Sequence, residues 1–456
     1  MTGKSSLILQ ILAELRKAQA SKWEWPPAGP VKRPSFPPIL SLGDGRSLPV
    51  TDALVRAVSD YNQICWNNDP SLKLRFKIDE LFRILERSFG LVLSEIDLDN
   101  SDQILHSVVN DRVQRLFHAE IARQHQPIDL ALGCHLIERD HIYPIAIGPV
   151  IFETRELWRN RMLDIGKISP TTALRLAKHW QDEGPKRPIH SADWAAEGMI
   201  LDAVAQCPVI CTVSTDGLAS RYVQEKGLLA ARLAITAVSL IWQRPSEGLK
   251  WMKLLYDRAL PHRRVALLGS GTNVGANYEM GEFPAGRYFE PEMLDALGAF
   301  GSVFDIIGAA LFAYVQPTKS RTRRATMNAL FLSLWWFHEA CREPQDQIAT
   351  TMFAASMDAL AGGRQEKGIL ELIESRLGPG QSDPLMKDGR TAKKAIEQIY
   401  KAGRSQLIHG TSEDFAHDWT HVRCTAELIG RLLIIECCNW FNQNLEIDDL
   451  SMLRSK

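Results

Sequence analysis

From about residue 325 to residue 443 the chain reads as one succession of helices, and no other feature limits its possible folds so strongly. Segments at about 325–341, 344–361, 365–377, 391–409 and 415–443 carry helical character, and Gly378-Pro-Gly-Gln-Ser-Asp-Pro384 separates the middle ones. A basic run, Lys319-Ser-Arg-Thr-Arg-Arg324, follows Pro317 and marks a domain junction. The expected organisation is therefore an N-terminal region over 1–317 and an all-helical domain over 318–456.

The N-terminal region has a mixed texture. Leu7 to Leu12, followed by Glu14, Arg16 and Lys17, reads as an amphipathic helix too short to span a membrane. Residues 23–38 hold six prolines with Trp23, Trp25 and Phe36, a composition for an extended segment packed across the body. Helical periodicity runs from about Val50 to His135, clearest in Leu74–Leu91 and Ile104–Ile121. Ile142-Tyr-Pro-Ile-Ala-Ile-Gly-Pro-Val-Ile-Phe152 is rich in β-branched residues and broken by Pro and Gly, so short strands are expected near 142–152. Ala195–Ala205 and Gly227–Gln243 return to helix, the latter apolar enough to be central to its core. Strands are expected again within 264–290, with another helix from Pro291 to Gly308 and beyond. The fold class is mainly α: a mixed helical region with a small β element, then helices.

Charge excludes some roles. With 53 basic and 54 acidic residues the net charge is −1, so the chain lacks the bulk attraction of a general nucleic-acid or acidic-membrane binder. RNA would have to be held by a local patch. No stretch approaches 18 uninterrupted apolar residues, and a cytoplasmic protein without membrane association is expected. The eight cysteines are scattered in apolar contexts and read as buried free thiols. Cys207 and Cys211 have no second ligand pair at zinc spacing, and His417 with His421 lack a third ligand, so no metal and no cofactor is expected. Gly269-Ser-Gly-Thr-Asn-Val-Gly275 is followed by Asn277, Gly281 and Pro284 and not by a helix, so it reads as a plain loop and not a dinucleotide site.

The segment Ala395-Ile-Glu-Gln-Ile-Tyr-Lys-Ala-Gly-Arg-Ser-Gln-Leu-Ile-His-Gly410 carries the chemistry. Ile396, Ile399, Tyr400, Leu407 and Ile408 form its inward face, and Gly410 suits a left-handed C-cap. His409 then stands in the last turn, where the negative helix end favours its protonated form. On an ideal α-helix, residues five apart are separated by about 140° and about 7.5 Å. Arg404 and His409 converge only if the helix end distorts or a second copy packs against the first.

Tyr-x-x-x-Arg-Ser-x-x-x-His-Gly at the end of a helical domain resembles the ApeA-like branch of the HEPN superfamily. The resemblance covers roughly 320–445, with Phe353-Ala-Ala-Ser-Met-Asp-Ala-Leu360 similar to the apolar second-helix signature and Leu428–Phe441 to the long following helix. It implies a HEPN helical bundle and a metal-independent endoribonuclease, a prokaryotic antiviral defence or toxin effector. Arg404 and His409 would be catalytic, with Ser405 and Tyr400 in support. It also implies a homodimer whose paired Arg–His sets line one cleft, with an N-terminal region that senses a trigger or binds a partner protein. Lys319, Arg321, Arg323 and Arg324 are candidate RNA contacts or a solvated linker. The position after the Arg is often Asn, Asp or His in active members and here is Ser405. The other reading is an inactive HEPN module that binds nucleotide, RNA or a partner protein, with Arg404 paired to Glu397 or Glu427 and His409 capping its helix.

Overall fold

A computed structural model describes residues 3–20, 38–124, 126–137, 140–181, 191–257, 262–267, 274–279, 290–319, 323–386, 388–409 and 418–455. The protein is mainly α. Its chain divides into two compact units, one formed by Met1–Ile128 with Asp216–Glu225, the other by Asp129–Thr215 with Lys226–Lys456. The sheet and the C-terminal helices lie within one of these units.

The first unit contains α1 (Lys4–Ala20), the hairpin β1 (Ile39–Ser41) and β2 (Ser47–Pro49), α2 (Asp52–Asn68), α3 (Pro70–Arg75), α4 (Ile78–Glu95) and α5 (Asp102–Arg123). The run expected over Leu74–Leu91 breaks at Phe76 and Lys77, both extended, where α3 ends and α4 starts. Ile8, Leu12, Leu54, Phe76, Leu85, Val109 and Phe117 share one buried core. Within it Tyr61 meets Phe89 edge-on at 5.3 Å, and its hydroxyl accepts from Gln114 Nε2 at 2.9 Å.

The second unit opens with β3 (Ile128–His135), β4 (Ile145–Ile147) and β5 (Val150–Thr154), then α6 (Arg155–Asp164), α7 (Pro170–Trp180) and α8 (Ala192–Val204). Next come β6 (Val209–Thr215), α9 (Ser220–Ser239, of which the residues to Glu225 belong to the first unit), α10 (Pro245–Trp251), β7 (Lys253–Leu254) and a hairpin of β8 (His262–Leu267) with β9 (Val274–Glu279). Strands β4-β5-β6-β3-β7 form a sheet in that order. The strands expected near 142–152 and 264–290 are present, but the sheet is larger than expected, because β3 and β6 were not foreseen. Antiparallel β5 and β6 set Val150 against Val213 and Phe152 against Cys211. Trp158 and Met162 of α6, Leu176 of α7, Val204 of α8 and Ile210 pack together in this region. Gly148, at φ +57°, is required: a Cβ there would lie 2.3 Å from the Gly308 carbonyl oxygen.

Helices complete the unit: α11 (Glu290–Ala299), α12 (Gly301–Val315), α13 (Arg324–Arg342), α14 (Asp346–Leu360), α15 (Gln365–Leu377), α16 (Ala392–Ile396), a π-helix over Glu397–Ser405, α17 (Gln406–His409), α18 (Thr420–Gln443) and α19 (Leu450–Leu453). Phe337 of α13 meets Phe353 of α14 at 5.2 Å, and Gly430 of α18 lets the Phe337 ring come close. No single helix among the described residues is long and apolar enough to cross a membrane; α11 and α12 meet that test only together, with a 55° bend between them.

Candidate functional site

Thr391 caps α16 by accepting from Lys394 N at 3.3 Å. The helix then widens: Gln406 N bonds back five residues to Lys401 O, the i to i+5 pattern of a π-helix. Its seat on α14 accounts for the widening. Gly403 is buried, and a Cβ there would lie 2.8 Å from Thr350 Cγ2 and 3.6 Å from the Trp419 ring. Thr351 Oγ1 donates to the Gly403 carbonyl at 3.1 Å, supplying a partner to a carbonyl in the altered ladder. Ala395, Ile396, Ile399 and Tyr400 face inward. Ile408, expected to join them, is 59% exposed, since the wider turn displaces every later position around the axis.

Tyr400 and Arg404 sit four residues apart on this segment. The Arg404 guanidinium lies over the Tyr400 ring, Cζ to centroid 4.9 Å, and Nη1 donates to the phenol oxygen. Its Nη2 is 3.8 Å from Asp358 Oδ2 of α14. The Arg404 side chain remains 29% exposed, against 12% for Asp358. Burial, then the Asp358 charge and a hydrogen bond to it, push the Tyr400 phenol above its ordinary pKa, with Arg404 opposing. Asp358 Oδ1 also accepts from Gln365 N at 2.7 Å, holding the turn where Gly362, Gly363 and Gln365 all have positive φ.

The carboxylate beside Arg404 is therefore Asp358. Glu427 is committed elsewhere, accepting from Ser246 N at 2.7 Å and Ser246 Oγ at 3.0 Å. Asp358 is the lone acid in the apolar run Phe353–Leu360, and that was the available signal in the sequence. Ser405 is half-buried and His409 exposed in the final turn of α17. Among the described residues no hydrogen bond or ion pair joins Arg404 to His409. Gly410 and His417 lie outside the described residues.

The remaining candidates divide. Lys319 and Arg324 are exposed, and Arg321 lies outside the described residues. Arg323 packs inward: its guanidinium is 5.4 Å from the Phe441 ring, Nε and Nη2 are buried, and burial lowers its pKa. A polar cluster lies nearby in sequence, with Arg390 donating to Asp388, Gln398 and Thr425 and standing 3.4 Å from His421. Among the described residues no group of three or more His, Cys, Asp or Glu could hold a metal ion.

Comparison of the chain with family models, with curated proteins and with solved structures finds no match in any of the three.

Proposed function

We propose that this protein is a metal-independent endoribonuclease of the HEPN type, a cytoplasmic defence or toxin effector that pairs with a second copy to complete its site. The observation that carries this reading is the Arg404 guanidinium, oriented by Tyr400 yet still exposed, with exposed His409 five residues further along the same distorted helix.

The chemistry needs three things. A base removes the proton from a ribose 2′-hydroxyl, whose oxygen attacks the adjacent phosphorus. The P–O5′ bond breaks, and an acid protonates the leaving oxygen, giving a 2′,3′-cyclic phosphate and a 5′-hydroxyl. Charge that accumulates on the phosphoryl oxygens is held by a fixed cation. Histidine titrates near neutrality and serves as base in one copy and acid in the other. Arg404, always charged and already oriented, suits the phosphoryl oxygens. Lys319 and Arg324 would steer the strand, an effect that weakens with salt.

The experiment is incubation with labelled single-stranded RNA in excess chelator. Cleavage leaving cyclic-phosphate ends is expected, with His409→Ala slower by about 100-fold or more and Arg404→Ala by a similar factor. Equal cleavage by wild type and His409→Ala would remove His409 from the site. A second reading, a binding module without activity, is favoured by one contact: Asp358 already occupies one edge of Arg404. RNA bound but uncut at every concentration would select it.

A further inference from the structure

Away from the Arg404 segment, two arginines of the second unit share one carboxylate. Arg232 of α9 donates from Nε to both Asp257 oxygens, at 3.0 and 3.1 Å, and from Nη2 to Oδ1. Arg342, at the end of α13, stands with Nη1 3.5 Å from Asp257 Oδ2. Asp257 closes the 3₁₀ turn Leu255–Asp257 that follows β7, and its side chain is only 6% exposed. The common partner holds the two guanidiniums side by side. Two cations against one anion leave a positive charge in excess.

Asp257 does not use up either guanidinium. Arg232 Nη1 and Arg342 Nε and Nη2 make no hydrogen bond among the described residues, and none of the three is buried. Both side chains stay partly exposed, 27% for Arg232 and 29% for Arg342. Their excess charge is felt next door. At buried His338, after burial itself, the fields of Arg342 and Arg232 hold the pKa down, each ahead of the opposing Asp257. Glu339 of α13 also acts on Arg232 through space, but forms no ion pair with either arginine among the described residues; its carboxylate accepts from Trp335 Nε1 at 3.2 Å. A ring completes the cluster. The Arg232 guanidinium lies over Tyr256, Cζ 5.7 Å from the centroid, and Tyr256 is 73% exposed, which leaves its other face to solvent. Tying the turn to α9 and α13 requires neither this exposed ring nor the unbonded N–H groups.

We infer that this cluster binds a nucleoside phosphate unit, its phosphate on the free N–H groups of Arg232 and Arg342 and its base on the open face of Tyr256. Guanidinium forks match phosphate oxygens, and an aromatic ring stacks with any base. The unit belongs either to a free nucleotide or to a single strand of RNA. A chain of net charge −1 has to hold such a ligand by a local patch of this kind. The site shares no residue with the Arg404 segment and goes beyond the nuclease reading, since binding here requires no cleavage.

The test is fluorescence anisotropy of a labelled 2′-O-methyl oligoribonucleotide with the full chain. That strand lacks the attacking 2′-hydroxyl, so binding is read apart from cutting. Saturable binding is expected. Tyr256→Ala should weaken it about 5- to 100-fold, the worth of one stacked base, while Tyr256→Phe binds as wild type. Arg342→Gln leaves the Arg232–Asp257 pair in place. It should weaken binding about tenfold or more and flatten the slope of log affinity against log salt by about 0.7, one phosphate contact on a single strand. Calorimetric titration with adenosine 5′-monophosphate separates the sources: binding as tight as the strand's assigns the site to a free nucleotide, weaker or absent binding to RNA. If Arg342→Gln does not fold, as judged by circular dichroism, the two variants at exposed Tyr256 decide. No saturable binding of strand or nucleotide overturns the inference, as does a Tyr256→Ala protein that binds both as wild type.

Discussion

Asp358 holds two groups at once, the Arg404 guanidinium through Oδ2 and the Gln365 amide through Oδ1. The two duties differ in strength. The ion pair is long and its arginine partly exposed, so screening leaves it worth about 0–1 kcal/mol. The amide bond sits at a turn with positive φ and its acceptor is charged, which makes it worth about 1.5–3 kcal/mol. Asp358→Ala should therefore destabilise the protein by about 2 kcal/mol in urea denaturation. Asp358→Asn keeps an acceptor for Gln365 and should cost less than half as much. Equal losses would show that charge, and not the cap, matters there. Cysteine reactivity belongs to the same scale. Seven of the eight thiols are buried, and Cys424 alone is partly accessible. Burial pushes Cys65, Cys134, Cys341 and Cys438 above the ordinary thiol pKa, which withholds the reactive thiolate. Native protein should show one fast thiol toward a disulfide reagent, lost in Cys424→Ser.

Among the elements, the π-helix at Glu397–Ser405 depends on Gly403 more than on any polar contact. Adding a methyl group there forces a 2.8 Å approach to Thr350, and overpacking of this kind costs about 1–3 kcal/mol. Gly403→Ala should lower stability by that amount; Gly403→Ala with Thr350→Ser, which removes the opposing methyl, should recover most of it. Ala205 runs the other way. At φ 46° a glycine relieves strain, so Ala205→Gly should stabilise by about 1 kcal/mol in the same denaturation experiment. These two positions also show where sequence reading stops. Helix α15 matches its expected span of 365–377 because its apolar positions repeat cleanly between Arg364 and Gly378. The π-helix was not legible, since the i to i+5 shift is imposed by a partner helix and leaves no local period. Strand β6 was missed for another reason. Val209–Thr215 is buried on both faces, so no alternation betrays it. Arg404 and His409 were visible as a motif. The part of Asp358 was not, because its place beside Arg404 is made only by packing.

For the molecule as a whole, acid stability turns partly on His338, buried on α13 with Nδ1 2.7 Å from Thr236 Oγ1. Burial, then the positive charges of Arg342 and Arg232, hold its pKa down to about 3, with Asp257 opposing. Unfolded histidine titrates near 6.5, so below that pH the unfolded chain takes up a proton that the folded chain refuses. Stability present above about pH 6.5 is lost progressively as pH falls toward 3, by several kcal/mol in all. His338→Gln cannot take up that proton, so its stability relative to wild type should rise across that window. Parallel curves for the two proteins would assign acid unfolding to other groups. Chain order has a consequence in time. The first unit is finished by Asp216–Glu225, which brings buried Ala219 to its core, Arg221 to Asp79 and Glu225 to Lys77. Roughly ninety residues of the other unit separate that strip from Ile128. At synthesis rates of about 5–20 residues per second, the newborn first unit waits about five to twenty seconds for its last piece. Throughout that interval the surface destined for Ala219 stands open, a target for chaperones and for neighbouring nascent chains.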